Sequence, residues 1–221
     1  MRYYILSIIT ISLILSGCIT MQKPIDDVYL SEMTSDEAAK LEKMEGEIIS
    51  QKKDKDITEK NLSIGEQKIR VCKASVSQIQ STKILLQEEE KLYTLSDNTE
   101  KLNEVQNKIK ECMGRETQAK ANLKYNMAKR NEIKALLDVK NSELAVKVAK
   151  LDYEKAKIAK KYQSKRPEKF GDDIIDDIKY EDFLNDQTEK LNEKQEKHKE
   201  TIELLNKAED ELKNTGYEVE Q

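Results

Sequence analysis

The chain has 221 residues, of which 37% are charged and 37% hydrophobic, with no Trp, two Phe, two Pro and six Gly. This surplus of charged over aromatic and turn-forming residues excludes a thick globular core and predicts an all-α protein of long helices. The net charge is −4 with Lys and Glu interspersed, so no basic stripe of the kind that binds nucleic acid is present.

The first 17 residues have the pattern of an export signal. Arg2 supplies a positive charge, and residues 3–15 form an apolar run. The run is too short to span a hydrocarbon core of ~30 Å, so we expect residues 1–17 to be a cleaved signal peptide. The alternative is an uncleaved anchor with an incidental Cys18.

The run ends in the motif Leu15-Ser16-Gly17-Cys18. This motif resembles the lipobox of bacterial lipoproteins. The resemblance implies that the Cys18 thiol becomes a thioether to diacylglycerol, with acyl chains such as palmitate. It also implies a location in the bacterial cell envelope. Residues 18–33, which contain Pro24 and few periodic apolar residues, are then expected to form a lipidated tether. Ile19 stands where an Asp would resemble an inner-membrane retention signal, which favours the outer membrane facing the periplasm, with surface exposure as the alternative.

An antiparallel helical hairpin is predicted over residues 34–166. Thr34 and Glu37 have the spacing of a capping box, so the first helix should begin there. From Leu41 to Tyr93 apolar residues recur at heptad a and d positions, which indicates a coiled coil. A polar gap after Ile48 and the glycine at position 65 are expected to loosen the middle of this seam.

The turn of the hairpin is predicted at about residues 93–98, where Asp97 and Glu100 repeat the capping spacing. A second heptad series runs from Leu102 to Ile158, and Pro167 should end its helix. Two long helices with a short connection fold back on each other as an antiparallel pair.

The second helix carries small residues on the side away from its Leu seam, one in each of seven successive heptads. They are Gly114, Ala121, Ala128, Ala135, Ser142, Ala149 and Ala156. Small side chains allow a neighbouring helix to approach closely, although Ala also serves as a plain helix former. We therefore interpret the second helix as the middle one of three in an elongated rod.

A third helix is predicted over residues 174–214, after a connection at 167–173 and before a tail at 215–221. Its seven-residue pattern starts with Ile174 and Ile178 and continues with Leu184, Leu191, His198, Leu205 and Leu212. Folding back at the connection places those last five residues opposite Ala156, Ala149, Ser142, Ala135 and Ala128 respectively. His198 is interpreted as a polar layer rather than a metal ligand, because metal sites need several convergent ligands.

Two further cysteines occupy d positions of the hairpin. Cys72 and Cys112 would face an oxidising compartment after export and could form a disulfide across the two helices. A turn centred near residue 95 leaves the pair offset by about 9 Å along the axis, which exceeds disulfide reach unless the seam staggers. Buried free thiols and an intermolecular bridge are the alternatives.

The third helix should end level with about Lys124, leaving a two-helix tip that carries Leu92, Tyr93 and Leu95. The sequence has no phosphate-binding loop, no nucleophile elbow, no His-x-x-x-His and no C-x-x-C pair, so we expect neither an enzyme nor a cofactor, metal or small-molecule substrate. The tip is interpreted as a docking site for a protein partner. Closing the turn is the alternative role of its apolar residues.

Two functions remain open at this point. The first is a lipid-anchored scaffold or spacer of the envelope that binds a protein partner or itself. The second is a surface-exposed helical lipoprotein that binds host or extracellular proteins. The chain ends in Glu220 and Gln221 rather than in a basic pair, which does not support covalent attachment to the cell wall.

Overall fold

The computed structural model describes Ile25, residues 27–165 and residues 175–216, and over these residues the chain is a three-helix rod. The helices are α1 (Ser35–Leu95), α2 (Thr99–Gln163) and α3 (Asp177–Lys213). The predicted all-α, elongated fold is confirmed. The lipobox with Cys18, the connection at 167–173 and most of the tail lie outside the described residues.

The start of α1 is fixed by the predicted capping box. The Glu37 amide donates to Thr34 Oγ1 over 3.3 Å, and the Thr34 amide donates to Glu37 Oε2 over 2.9 Å. Two backbone amides at the exposed start of α1 are thereby paired. Asp36 and Glu37 also place negative charge in the first turn, where it interacts favourably with the helix dipole.

The turn between α1 and α2 spans residues 96–98. Asn98, not Asp97, caps α2, because Asn98 Oδ1 accepts from the Lys101 amide over 3.1 Å. Asp97 instead adopts a φ of 51° and reverses the chain in the left-handed region. Asp tolerates that region better than most residues. The predicted cap at Asp97 is therefore wrong by one residue.

The three helices form a flat array with α2 in the middle. Both α1 and α3 pack along α2, and within the described residues α1 and α3 do not pack on each other. The cause is the sequence of α2, whose Leu seam and small-residue stripe lie on nearly opposite sides of the helix. The interpretation of α2 as the middle helix is confirmed.

Polar residues fill the middle of the α1–α2 seam, where a loose region was predicted. Gln51 is buried and donates to Glu143 Oε2 over 2.5 Å, and Lys140 donates to the same oxygen over 3.0 Å. At Gly65 the space of the missing side chain is taken by Arg130, whose Cβ and Cγ would lie 3.7 Å from the Cβ of an alanine at this position. These polar contacts fill the part of the α1–α2 seam in which apolar residues are missing.

The register of α3 is close to the predicted one near both of its ends, where Asp177 pairs with Lys160 and Glu211 with Lys124. Between them, His198 lies beside Glu132, with Nε2 and Oε1 2.8 Å apart, rather than opposite Ser142. The interface of α3 also uses two rows of residues instead of one. A second row, which includes the buried Tyr180 and Gln187, shares the interface with the predicted leucines, whereas Ile178 is exposed. Ile174 lies outside the described residues.

The chain before α1 is not a free tether along its whole length. Residues Asp27–Leu30 form a short 3₁₀ helix that packs on α2. Ile25 and Leu30 are both buried against the rod. The predicted tether at 18–33 is corrected on this point, because its last part belongs to the folded core.

Candidate functional site: the two ends of the rod

One end of the rod, which we call the base, holds a compact apolar cluster. Residues from the chain start and from all three helices contribute to it. The buried members are Ile25, Leu30, Leu41, Ile48, Leu144, Leu151, Ala156, Ile158, Ala159, Tyr162 and Tyr180. Among the described residues four segments meet only at the base, so it is the thickest part of the rod. It contains Ile25, the described residue nearest in sequence to Cys18.

Glu37 closes the base by linking the first turn of α1 to the last turn of α2. Its carboxylate accepts from Lys161 Nζ over 2.6 Å and from Tyr162 Oη over 2.9 Å. These donors, led by Lys161 and followed by the Thr34 amide, lower the pKa of Glu37 from 4.5 to about 2. A carboxylate held this firmly stays charged over the physiological pH range.

Burial also changes the titration of two groups inside the base. It raises the pKa of Asp152, against the opposing effect of Lys155. It raises the pKa of Tyr180, and the charge of Asp152 adds to that increase. Asp152 belongs to α2 and Tyr180 to α3, so the charge of Asp152 acts on Tyr180 across the interface between these two helices.

Among the described residues, the opposite end, which we call the tip, consists of α1 and α2 alone. The end of α3 is fixed by Glu211, which accepts from Lys124 Nζ over 2.5 and 2.7 Å. This agrees with the sequence analysis, which predicted that the third helix ends beside about Lys124. Beyond it, α2 continues toward the turn with only α1 as its neighbour among the described residues.

The tip presents two leucines to solvent. Leu92 is 65% exposed and Leu95 is 84% exposed. Tyr93 differs from them, because it is half-buried in the seam and the Lys101 ammonium lies 5.5 Å from its ring centroid. Leu92 and Leu95 therefore form the apolar surface of the tip, whereas Tyr93 belongs to the seam between α1 and α2.

The small-residue stripe of α2 is buried in proportion to the cover that α3 gives. Ala149 and Ala156 are buried, the four residues Ala121, Ala128, Ala135 and Ser142 are half-buried, and Gly114 is exposed with nothing within 4 Å of where a Cβ would lie. The stripe is therefore most buried near the base and exposed only at its tip end, at Gly114. The stripe is a packing surface for α3 near the base and has no such neighbour at Gly114.

The predicted disulfide is corrected, because Cys72 and Cys112 are both free thiols. Side-chain contacts such as Gln80–Glu116 and Glu90–Gln106 centre the hairpin on residue 98. Cys72 then lies about 18 Å from Cys112 along the axis, far beyond disulfide reach. Cys112 contacts the Ile79 carbonyl instead, and burial raises the pKa of Cys72.

A second apolar stripe on α1, which faces away from α2, was not predicted from the sequence. Its members recur every seven residues and are 51–70% exposed: Ile57, Ile64, Val71, Leu85 and Leu92. Only Gln78 interrupts the series. The seven-residue spacing of these side chains is the sequence signal for the stripe, and it coincides with the period of the stronger seam of α1.

No helix within residues 27–165 and 175–216 is long and apolar enough to cross a membrane. Comparisons with protein-family models, with curated proteins and with solved structures found no match to this chain. The fold and the two ends of the rod are therefore the observations from which a function can be argued.

Proposed function

We propose that this protein is a lipid-anchored spacer of the bacterial cell envelope that docks a protein partner at its tip. The observation that carries the proposal is the contrast between the two ends. The base is thick, closed and next to the segment that leads to the lipobox, whereas the tip is thin and presents Leu92 and Leu95. An anchor at one end and a bare apolar surface at the other are what a docking rod requires.

Length supports the same function. The 61 residues of α1 span roughly 90 Å at 1.5 Å per residue. Because α2 packs along α1 for that whole distance, the rod resists bending better than a single helix. A partner bound at the tip is thus held at a set distance from the lipid at Cys18, facing the periplasm if the anchor lies in the outer membrane.

The anchor is tested by replacing Cys18 with Ala. The variant should lose partitioning into the detergent phase and should accumulate as an unprocessed precursor. The rod itself should keep its helicity, because the described fold starts only at Ile25. A variant that still partitions and matures like the wild type shows that Cys18 carries no lipid.

The docking tip is tested by changing Leu92, Tyr93 and Leu95 to Gln and identifying crosslinked neighbours in intact cells. A matched control changes Ile178 and Leu204 to Gln, since both are exposed apolar residues of α3. We expect the tip variant alone to lose its neighbour while circular dichroism stays unchanged. Equal crosslinking in both variants contradicts docking at the tip.

Protease treatment of intact cells separates this function from its rival. Protection of the rod supports a periplasmic spacer. Cleavage by external protease instead supports a surface-exposed lipoprotein that binds host or extracellular proteins, and the same tip leucines would then be its first candidate binding site.

A further inference from the structure

The second apolar stripe of α1, defined above, is an unpartnered helix face. It runs from Ile57 to Leu92, about 52 Å along the helix. Neither α2 nor α3 covers it in the described part of the chain. Single exposed apolar residues need no partner, whereas five of them in one row on the same helix face favour an occupant.

We infer that the occupant is a second copy of this chain, whose α1 stripe packs antiparallel on the first. In a two-fold interface the same surface serves both partners, so the stripe must be complementary to its own reversed copy. The outer positions of the apolar row meet this condition about a centre between Ala74 and Ser75, and the middle position sets Val71 against Gln78 of the second copy. Reversal places Ile57 against Leu92 of the second copy and Ile64 against Leu85.

The residues that flank the stripe fit the same centre. One flanking row holds Lys60 and, four heptads later, Glu88, and reversal brings each against the other in the second copy. Both are exposed. At the middle of this row Ala74 meets its own copy, and its short side chain allows the two helices to approach closely. Opposite charges at the flanks and a small residue at the centre favour the antiparallel pair.

Parallel pairing in register is disfavoured by the same residues. It would bring Glu88 and Glu89 beside their own copies, and like charges at flanking positions destabilise a helix pair. The antiparallel arrangement separates these acidic residues of the two copies by most of the length of the stripe. It therefore also sets the two bases at opposite ends of the dimer, roughly 120 Å apart.

The stripe is large enough for a specific contact. A helix face about 52 Å long and about 10 Å wide covers roughly 500 Å² on each copy. Two copies then bury about 1,000 Å², which reaches the lower limit for a stable protein interface. A dimer of this size should dissociate on dilution rather than be permanent.

The test is the mass of the full chain in detergent, measured by native mass spectrometry over a range of concentrations. We expect a dimer that dissociates on dilution. Changing Ile64, Val71 and Leu85 to Gln should weaken it at least tenfold, with unchanged helicity, because the three side chains are already exposed. Changing Ile178 and Leu204 to Gln is the matched control and should leave the dimer intact.

Charge exchange tests the orientation. Lys60→Glu should weaken the dimer, and adding Glu88→Lys to it should restore the wild-type affinity. A photo-crosslinker at position 64 should link to the segment around Leu85 of the second copy. A chain that stays monomeric at every concentration overturns the inference, as does crosslinking between the two copies of position 64. Leu92 belongs to both the stripe and the tip, whereas Leu95 belongs to the tip alone. Leu95→Gln should therefore weaken docking at the tip and leave the dimer intact, so failure of one proposal can be distinguished from failure of the other.

Discussion

Glu37 in the first turn of α1 accepts a hydrogen bond of 2.9 Å from the hydroxyl of Tyr162 in the last turn of α2. The two residues are 125 positions apart in the chain, so their contact joins the two ends of the hairpin at the base. Lys161 adds a second donor to the same carboxylate. The capping residue of one helix thus also fastens the end of its neighbour.

This contact predicts how stability changes with pH. The pKa of Glu37 is lowered in the folded chain from 4.5 to about 2, so its charge stabilises the fold above pH 4.5. That stabilisation is lost as the pH falls from 4.5 toward 2. Glu37→Gln keeps a capping side chain but removes the charge, and we expect it to cost about 1–2 kcal/mol at pH 7 and little at about pH 2.

Urea denaturation followed by circular dichroism at both pH values measures the difference. Glu66→Gln is the control, because Glu66 is an exposed residue on the same helix. If Glu37→Gln and Glu66→Gln lose the same stability at pH 7, the contact does not hold the base together.

The small residues of α2 predict a graded response to enlargement. Ala156 is fully buried beside α3, so Ala156→Leu should overpack the base and cost about 1–3 kcal/mol. Gly114 lies beyond α3 with open space around it, and Gly114→Ala should stabilise the helix by about 1 kcal/mol. The same urea titration measures both. Tolerance of Leu at position 156 would contradict the close packing of α3 on α2.

The backbone conformation at position 97 predicts which residue types the turn tolerates there. Asp97 has a φ of 51°, which glycine adopts without steric cost and a β-branched residue adopts only with strain. Asp97→Gly should therefore be neutral or slightly stabilising, and Asp97→Val should destabilise by about 1–2 kcal/mol. Thermal unfolding of the two variants provides the measurement. Equal effects would show that the chain reverses through another conformation.

The two thiols predict a simple result in a non-reduced digest. Peptides that contain Cys72 and Cys112 should appear separately, each with an alkylatable thiol. Alkylation of Cys72 in the folded protein should be slow, because burial raises its pKa and leaves little thiolate. Recovery of one peptide pair joined through both residues would require a hairpin register shifted by about 18 Å from the observed one.

Heptad periodicity explains why the helices could be predicted from the sequence. A long repeat of apolar residues at a and d positions determines which side of α1 and α2 faces inward, and the stripe ending in Ala156 indicates a third neighbour on the other side of α2. The capping pair Thr34 and Glu37 located the first helix start because its geometry is local.

Register could not be predicted in the same way. The disulfide requires a turn centred on residue 92, whereas the contacts between α1 and α2 centre it on residue 98. The position of the turn depends on the local conformations of Asp97 and Asn98. The predicted pairing of His198 with Ser142 was wrong, and the buried row of Tyr180 and Gln187, which does not follow the Leu pattern, was missed. Both errors concern the fit of one helix on another, which the repeat within a single helix does not encode.

The most direct measurement of the central claim is neutron reflectometry of the lipidated protein on a supported bilayer. Single rods are measured by using the chain with Ile64, Val71 and Leu85 changed to Gln. An anchored spacer should give protein density that extends roughly 90 Å from the bilayer. Deleting residues 77–83 and 113–119, one matched heptad from each helix beyond the end of α3, should shorten that density by about 10 Å. Density confined to the first ~30 Å, or no change on deletion, would contradict a rod that holds its tip at a set distance from the membrane.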